Sequence, residues 1–215
     1  MDSVTMKGVL TALANIRPIF HSEDDFKVAL AWQIKHMHPA VEIRLEYPVR
    51  SRQGNRRFDI LVIEGGSRIP IELKYKTQEL THTSNTGEVF ELISQSADNH
   101  ARYDFCKDIS RIETFPFTSA ETKRGFAIFL TNAPRYWKGT TRTGNNDKEF
   151  EIKDGITLSG TRAWRNPDAA TAKNGGRQDP IAFIGTHRLQ WENFSTLPSG
   201  TPTESHTFRF LLVSV

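Results

Sequence analysis

The sequence predicts an α/β protein with a mixed sheet. Three observations lead to this class: a capped helix precedes three apolar strands, a long helix follows them, and a buried strand comes next. Helices placed between strands are typical of a sheet that is covered on its faces. At 215 residues, 37% of them hydrophobic, the chain is long enough for one substantial core. We therefore expect a single domain over residues 1–215.

The first helix is predicted to begin after Ser22, a suitable N-cap that three acidic residues follow. Apolar residues then recur at helical spacing as far as Met37, and Pro39 would end the helix. Three strands are expected next, because β-branched and aromatic residues recur between turn signals, SRQGN at 51–55 and Gly65-Gly66. The predicted strands lie at residues 42–50, 56–64 and 68–76.

The rest of the chain is less regular. Residues 77–87 predict a polar loop, and an apolar stripe predicts a helix from Glu88 to about Glu113. The segment GFAIFLTN, which begins at Gly125, predicts a buried strand. Residues 133–178 lack periodicity and predict a loop-rich insertion, and two closing strands are expected within residues 181–215.

Composition bounds the location of the protein. The longest apolar run, GFAIFL, is too short to span a membrane, and the first residues lack the apolar core of a signal peptide. The single cysteine, Cys106, excludes an internal disulfide and a cysteine-rich zinc site. We therefore expect a cytoplasmic protein without a membrane partner.

The second and third strands carry charges that an apolar hairpin normally excludes. With Gly65-Gly66 as the turn, cross-strand partners have numbers that sum to 131, so Asp59 faces Glu72. Counting outward from the turn gives this pair a non-hydrogen-bonded position, where side chains are closest. Pro70 fits the same register, because its missing N–H then breaks no hairpin bond.

The two faces of this hairpin are predicted to differ. One face would be apolar, with Phe58, Ile60, Val62, Ile69, Ile71, Leu73 and Tyr75. The other would carry Asp59, Glu72, Lys74 and Lys76. Facing carboxylates repel each other, and Mg²⁺ reverses that cost because it prefers carboxylate and water oxygens. Since Lys74 could contact a metal-bound water or a phosphate, the pattern indicates metal-assisted hydrolysis.

The alternative is a surface salt-bridge network in which Lys74, Lys76 and Arg57 neutralise the two acids. The E-x-K triplet is weak evidence alone, since about one copy is expected by chance in a chain of this length. A second copy does occur at Glu151–Lys153. Its nearest upstream acid, Asp147, is four residues away with no turn between, so it cannot form a facing pair.

Asp59 followed by Glu72-Leu73-Lys74 across a hairpin, between two helices, resembles the PD-(D/E)xK nuclease superfamily. The resemblance covers residues 20–131 and implies a restriction-endonuclease-like αβββαβ core, here with added C-terminal strands. It implies that Asp59, Glu72 and the Leu73 carbonyl bind Mg²⁺, with Mn²⁺ as a substitute. Lys74 would orient or activate the attacking water. The pattern departs at Phe58, where many members have proline.

The resemblance also implies that Glu23 joins the site from the first helix and that Gln95 joins it from the next. Acids in a first helical turn are favoured by the helix dipole whatever their function, and Asp24 and Asp25 compete with Glu23. A glutamine on the exposed face of a helix is commonly only solvated. Lys76 would be a phosphate contact or a solvated lysine.

The insertion at residues 133–178 is basic, with nine Lys/Arg against five Asp/Glu, an excess of four positive charges. It predicts a flap that contacts nucleic-acid phosphates through Arg162 and Arg165, and a solvated loop is the alternative on charge alone. Aromatic residues in and after it could stack on bases or lie in the core; they are Trp137, Trp164 and Trp191.

Together these features predict a Mg²⁺-dependent nuclease that acts on DNA, with RNA as an alternative substrate. Endonuclease and exonuclease action both stay open, and targeting would come from a homodimer or from a partner protein. Two rivals stand beside this hypothesis. One is a catalytically inactive module of the same fold that binds nucleic acid or a partner. The other is an unrelated α/β protein with a salt-bridged hairpin.

Overall fold

The computed structural model describes residues 1–51, 54–140, 144–173, 175–199 and 203–215. For residues 50–51 and 54–56 it describes the backbone alone. Positions 52–53 of the predicted turn at 51–55 therefore lie outside the described residues. So does Arg142, one of the nine basic residues of the insertion.

A mixed six-stranded sheet forms the centre of the molecule, in the order β1-β2-β3-β6-β12-β11. Strands β3 and β6 run parallel, and the other neighbours in this sheet run antiparallel. The helices are α1 (Ser3–Ile16), α2 (Glu23–Met37), α3 (Asp98–Glu113) and the short α4 (Ala170–Lys173). The strands are β1 (Glu42–Ser51), β2 (Gly54–Glu64), β3 (Ser67–Lys76), β4 (Leu80–Thr83), β5 (Val89–Leu92), β6 (Phe126–Thr131), β7 (Thr157–Leu158), β8 (Thr161–Arg162), β9 (Ile181–Ala182), β10 (His187–Arg188), β11 (Trp191–Thr196) and β12 (Thr207–Ser214).

Alternate strand residues point to opposite sides of the sheet, so both of its faces carry apolar side chains. Helices cover each of these faces. Helices α1 and α2 share one apolar cluster with Phe126, Ile128 and Leu130 of β6. Helix α3 shares the other cluster with Ala127 and Phe129 of the same strand. The predicted α/β class, with a mixed sheet flanked by helices, is confirmed.

Local signals placed several elements correctly. The hydroxyl of Ser22 accepts a hydrogen bond from the Asp25 backbone N–H, which caps α2 as predicted. Strand β6 is buried along its whole length. The hairpin of β2 and β3 has the predicted register, from Glu64–Ser67 to Ile60–Ile71.

The predicted helix from Glu88 is wrong in its first part, and so is the predicted loop at 77–87. Strands β4 and β5 form a small hairpin there, in which Phe90 and Leu92 are buried and alternate with exposed residues. The helix begins only at Asp98, because Ala97 has a φ of 67°, a left-handed conformation that interrupts a helix.

Helix α1 was not predicted, although its buried residues have helical spacing: Met6, Val9, Leu10 and Leu13. The insertion packs on α3, where Trp164 stacks on Tyr103 with ring centroids 5.6 Å apart. Three tryptophans are at most 7% exposed, which favours the core alternative for Trp137, Trp164 and Trp191. Of the closing segments, β11 and β12 join the sheet, whereas β9 and β10 have two residues each. None of the helices in the described ranges combines the length and the apolar character of a membrane span.

Candidate metal and active site

Strands β2 and β3 separate where the sequence predicted the acidic pair. Their ladder ends at Ile60–Ile71, and β3 continues beside β6 as far as Lys76. Beyond the last pair, Asp59 Oδ2 accepts a hydrogen bond from the Leu73 backbone N–H, at 2.8 Å. The Asp59 carboxylate therefore reaches the Leu73 backbone across the end of the ladder.

The backbone opposite Asp59 is also irregular. Glu46 of β1 has a φ of 50°, and the β1–β2 ladder passes from Leu45–Ile60 to Tyr47–Phe58 without pairing the residues between. The predicted placement of Phe58 on the apolar face of Leu73 is wrong. Its ring belongs to the α3 side of the sheet, 5.3 Å from Phe115, because strict alternation fails at this irregularity.

Glu72 is the most deeply buried acid of the predicted motif, at 4% exposure. Its Oε1 lies 2.9 Å from Arg111 Nη1 of α3. This Glu72 oxygen nevertheless makes no hydrogen bond to any described residue. Burial raises the pKa of Glu72 well above its ordinary value, and the charge of Asp108 raises it further. A cation beside this carboxylate therefore has a strong effect on its charge.

Asp108 of α3 links the two basic groups of the site. Its Oδ2 lies 3.2 Å from Lys74 Nζ, and its Oδ1 lies 3.2 Å from Arg111 Nη1. Burial raises the pKa of Asp108, although the charges of Lys74 and Arg111 oppose that rise. Its Oδ2 has no hydrogen bond among the described residues.

Lys74 is held as a cation by its surroundings. Its ammonium donates a hydrogen bond to the Leu73 carbonyl, at 3.1 Å. Burial lowers the pKa of Lys74, but the surrounding carboxylates more than offset this and raise it above its ordinary value. These carboxylates are Asp108, Glu23, Asp59 and Glu72.

Glu23 reaches the same place from the first turn of α2. Its Oε2 accepts a hydrogen bond from the Tyr75 backbone N–H, at 2.7 Å. Burial raises the pKa of Glu23, the nearby Lys74 charge lowers it, and Asp59 raises it. The structure thus brings Glu23, Asp59, Glu72 and Lys74 together at the end of β3.

The two acids that competed with Glu23 have other partners. Asp25 pairs with Arg17 at 2.8 Å, and the Asp24 side chain is 83% exposed. Lys27 joins the rim of the site, 3.7 Å from Asp59 Oδ1. Its stronger contacts are with Asp24 and Glu46, and these raise its pKa despite burial.

The remaining predicted contacts lie further out. Gln95 precedes α3 instead of lying on it, and its backbone N–H donates to the Thr77 carbonyl just after β3. Lys76 ends β3 and lowers the pKa of Glu23. The Arg162 guanidinium donates to carbonyls within the insertion, and Arg165 is exposed.

Sequence reasoning missed Asp108 and Arg111, which supply the α3 side of the site. A signal was present, because Asp108 has the same helical spacing as Ala101, Phe105 and Ile112. This spacing predicts that Asp108 lies on the buried face of the helix. An acid at such a position needs a partner. The cations predicted to neutralise the hairpin were Arg57, Lys74 and Lys76. Lys74 does lie among these acids, but the ion pairs are formed by Arg111 with Glu72 and by Lys27 with Asp59.

The donor chemistry of this cluster fits a hard divalent cation such as Mg²⁺. Its acids provide only oxygen ligands, and burial raises three of their pKa values. Two of their buried oxygen atoms, Glu72 Oε1 and Asp108 Oδ2, make no hydrogen bond to the described residues. The described part of the chain contains no group of three His, Cys, Asp or Glu arranged closely enough to hold a metal as it stands. Arg111 lies against Glu72 instead. Ligands would therefore have to exchange partners before a metal could bind.

Comparisons of this chain with protein-family models, with curated proteins and with solved structures found no match.

Proposed function

We propose that this protein is a Mg²⁺-dependent nuclease that hydrolyses phosphodiester bonds of DNA. One observation carries the proposal: the structure brings together Glu23, Asp59, Glu72 and Lys74, from α2, β2 and β3, where β2 and β3 separate. Carboxylates and a cation at one strand end are the groups that a metal-assisted hydrolysis requires.

The topology supports a restriction-endonuclease-like core within the mixed sheet. Helix α2, the three antiparallel strands β1 to β3, helix α3 and the parallel strand β6 follow one another in the αβββαβ order expected from the sequence, interrupted by the small β4–β5 hairpin. The site lies on the middle strands of this unit, at the end of β3.

In this proposal Asp59, Glu72 and the Leu73 carbonyl hold the metal. When bound, Mg²⁺ or Mn²⁺ supplies a polarised water and neutralises charge on the scissile phosphate. Glu23 borders the site through its hydrogen bond to Tyr75 N–H.

Lys74 acts as a hydrogen-bond donor. Its raised pKa keeps the ammonium protonated, so it orients the attacking water or contacts a phosphate oxygen, and it does not serve as a general base. The Leu73 carbonyl and Asp108 hold the ammonium in place.

The outer basic residues complete the proposal as substrate contacts. Lys76 follows Lys74 along β3, and Arg162 and Arg165 would contact phosphates from the insertion, with Gln95 beside the strand end. Contacts between cationic side chains and phosphates carry no sequence information, so they favour binding to nucleic acid of any sequence. RNA stays the alternative substrate, and a second copy or a partner protein would direct the cut.

Cleavage assays test the proposal. We expect the wild type to cut plasmid or single-stranded DNA with Mg²⁺ or Mn²⁺, and to lose activity with EDTA. Lys74→Ala should lower the initial rate about 10²–10³-fold, because a positioned donor is lost. Arg102→Gln removes a partly buried arginine from the other half of α3 and should keep the rate. A wild type that cuts neither DNA nor RNA with either ion would overturn the proposal.

The second candidate is the catalytically inactive module of the same fold. The ion pairs of Glu72 with Arg111 and of Lys74 with Asp108 favour it, because they neutralise the motif without a metal. This candidate predicts nucleic-acid binding that neither EDTA nor Lys74→Ala changes by more than about twofold, with no cleavage.

A further inference from the structure

Arg111 is a partly buried cation of α3 for which the proposed reaction has no role. Its side chain is 18% exposed. The guanidinium lies 2.9 Å from Glu72 Oε1 and 3.2 Å from Asp108 Oδ1, and it donates to the Arg57 carbonyl at 2.5 Å. It also lies over the Phe58 ring, 5.1 Å from the centroid. Four neighbours therefore fix its position.

The guanidinium lies beside the Glu72 oxygen that a metal would bind in the proposed site. Glu72 Oε1 lies 2.9 Å from Arg111 Nη1, and it is also a buried oxygen without a hydrogen bond to the described residues. The contact is therefore electrostatic, without the geometry of a two-bond arginine–carboxylate pair. A contact of this kind can be exchanged for another cation at a small loss of hydrogen bonding.

We propose that Arg111 is a built-in counter-ion for Glu72, which pairs with the guanidinium in the metal-free protein and exchanges it for a divalent cation. The inference rests on the proposed function, because it takes Glu72 as a metal ligand. Asp108 and the Arg57 carbonyl keep the guanidinium at the site after the exchange. Arg111 is thus a positioning residue that holds the Glu72 side chain in place.

The chain offers a matched control in Arg102. Arg102 also lies on α3, is 11% exposed and pairs with a buried aspartate, Asp147. Its guanidinium makes true hydrogen bonds to that partner, and none of its described contacts reaches the acids of the site. Arg102→Gln therefore removes an equivalent charge from a place where no metal should bind.

Calorimetric titration with Mn²⁺ tests the exchange without any substrate. Arg111→Gln should bind Mn²⁺ about tenfold more tightly than the wild type, because it removes a positive charge that competes for Glu72. Arg111→Lys, which keeps the charge, should stay within about threefold of the wild type, and so should Arg102→Gln. If the wild type binds Mn²⁺ and Arg111→Gln binds equally or more weakly, the counter-ion role is wrong and the metal site stands. If neither binds Mn²⁺, both proposals fall.

A measurement on the wild type remains decisive even if Arg111→Gln does not fold. The ¹⁵N signal of the Arg111 Nε, assigned through Arg111→Lys, should move on titration with Mg²⁺. The Arg102 signal should stay in place and serves as the internal reference. An Arg111 signal that does not move at any Mg²⁺ concentration up to tens of millimolar would overturn the exchange.

Discussion

Helix α3 carries a buried ion-pair cluster in each half, and the two clusters differ in their balance of charge. In the first half, Arg102 donates two hydrogen bonds to Asp147, one base for one acid. In the second half, Asp108 and Arg111 meet Glu72 and further acids from the strands and α2.

We interpret the first pair as structural and the second cluster as the site of the proposed function. The Arg102–Asp147 pair is satisfied within the protein and fastens the insertion to α3. In the second cluster, Glu72 Oε1 and Asp108 Oδ2 make no hydrogen bond to the described residues, and burial raises the pKa values of both acids. Since unsatisfied buried acids cost stability, their presence favours a ligand that the cluster binds.

Arg102→Gln should have the largest effect on stability, because it leaves the Asp147 carboxylate buried without its partner. We expect a loss of about 3 kcal/mol in the free energy of unfolding, measured by urea denaturation. Mn²⁺ binding should be unchanged. If this variant lost metal binding while keeping its stability, the division between the two clusters would be reversed.

Glu23→Gln should have a smaller effect with the opposite sign. Burial raises the pKa of Glu23 above its ordinary 4.5, so the folded protein holds this proton more tightly than the unfolded chain does. The wild type should therefore lose stability as pH rises from 4.5 through the raised pKa. Glutamine keeps the acceptor for Tyr75 N–H and removes this loss.

The measurement is the melting temperature of both proteins between pH 4 and pH 8. The variant should melt above the wild type at neutral pH, and the difference should shrink toward pH 4. A variant that is less stable at neutral pH would show that the Glu23 charge stabilises the apo protein, through Lys74.

The sequence predicts those features that depend on neighbouring residues better than those that depend on residues distant in the sequence. The cap of α2 and the hairpin register follow from neighbouring residues, and the register led to Asp59, Glu72 and Lys74. The sequence does not distinguish β5 from the start of a helix, because a four-residue strand is too short to outweigh the helical pattern that follows it. Arg111 was missed because its partner Glu72 is far away in the sequence, and only tertiary packing brings the two together.

Reversing the insertion arginines should have the smallest effect. The Arg162 guanidinium donates to the Ser159 and Thr157 carbonyls, which leaves exposed Arg165 as the better phosphate contact. The double variant Arg162→Glu and Arg165→Glu should weaken DNA binding for all sequences alike. It should also reduce the slope of log K against log salt by about 1 per lost contact. An unchanged slope would favour the solvated-loop alternative for residues 133–178.

The most direct test of the central claim is the shift in melting temperature that Mn²⁺ causes in the wild type and in Asp59→Asn. Asparagine can keep the acceptor for Leu73 N–H while it removes one charge from a cluster rich in acids. Without metal, the variant should therefore melt at or above the wild type. Mn²⁺ at about 100 times its Kd should stabilise the wild type by about 2.7 kcal/mol and the variant much less. A destabilised Asp59→Asn together with a wild type that Mn²⁺ does not shift would contradict the account, and would identify the cluster as a structural salt-bridge network.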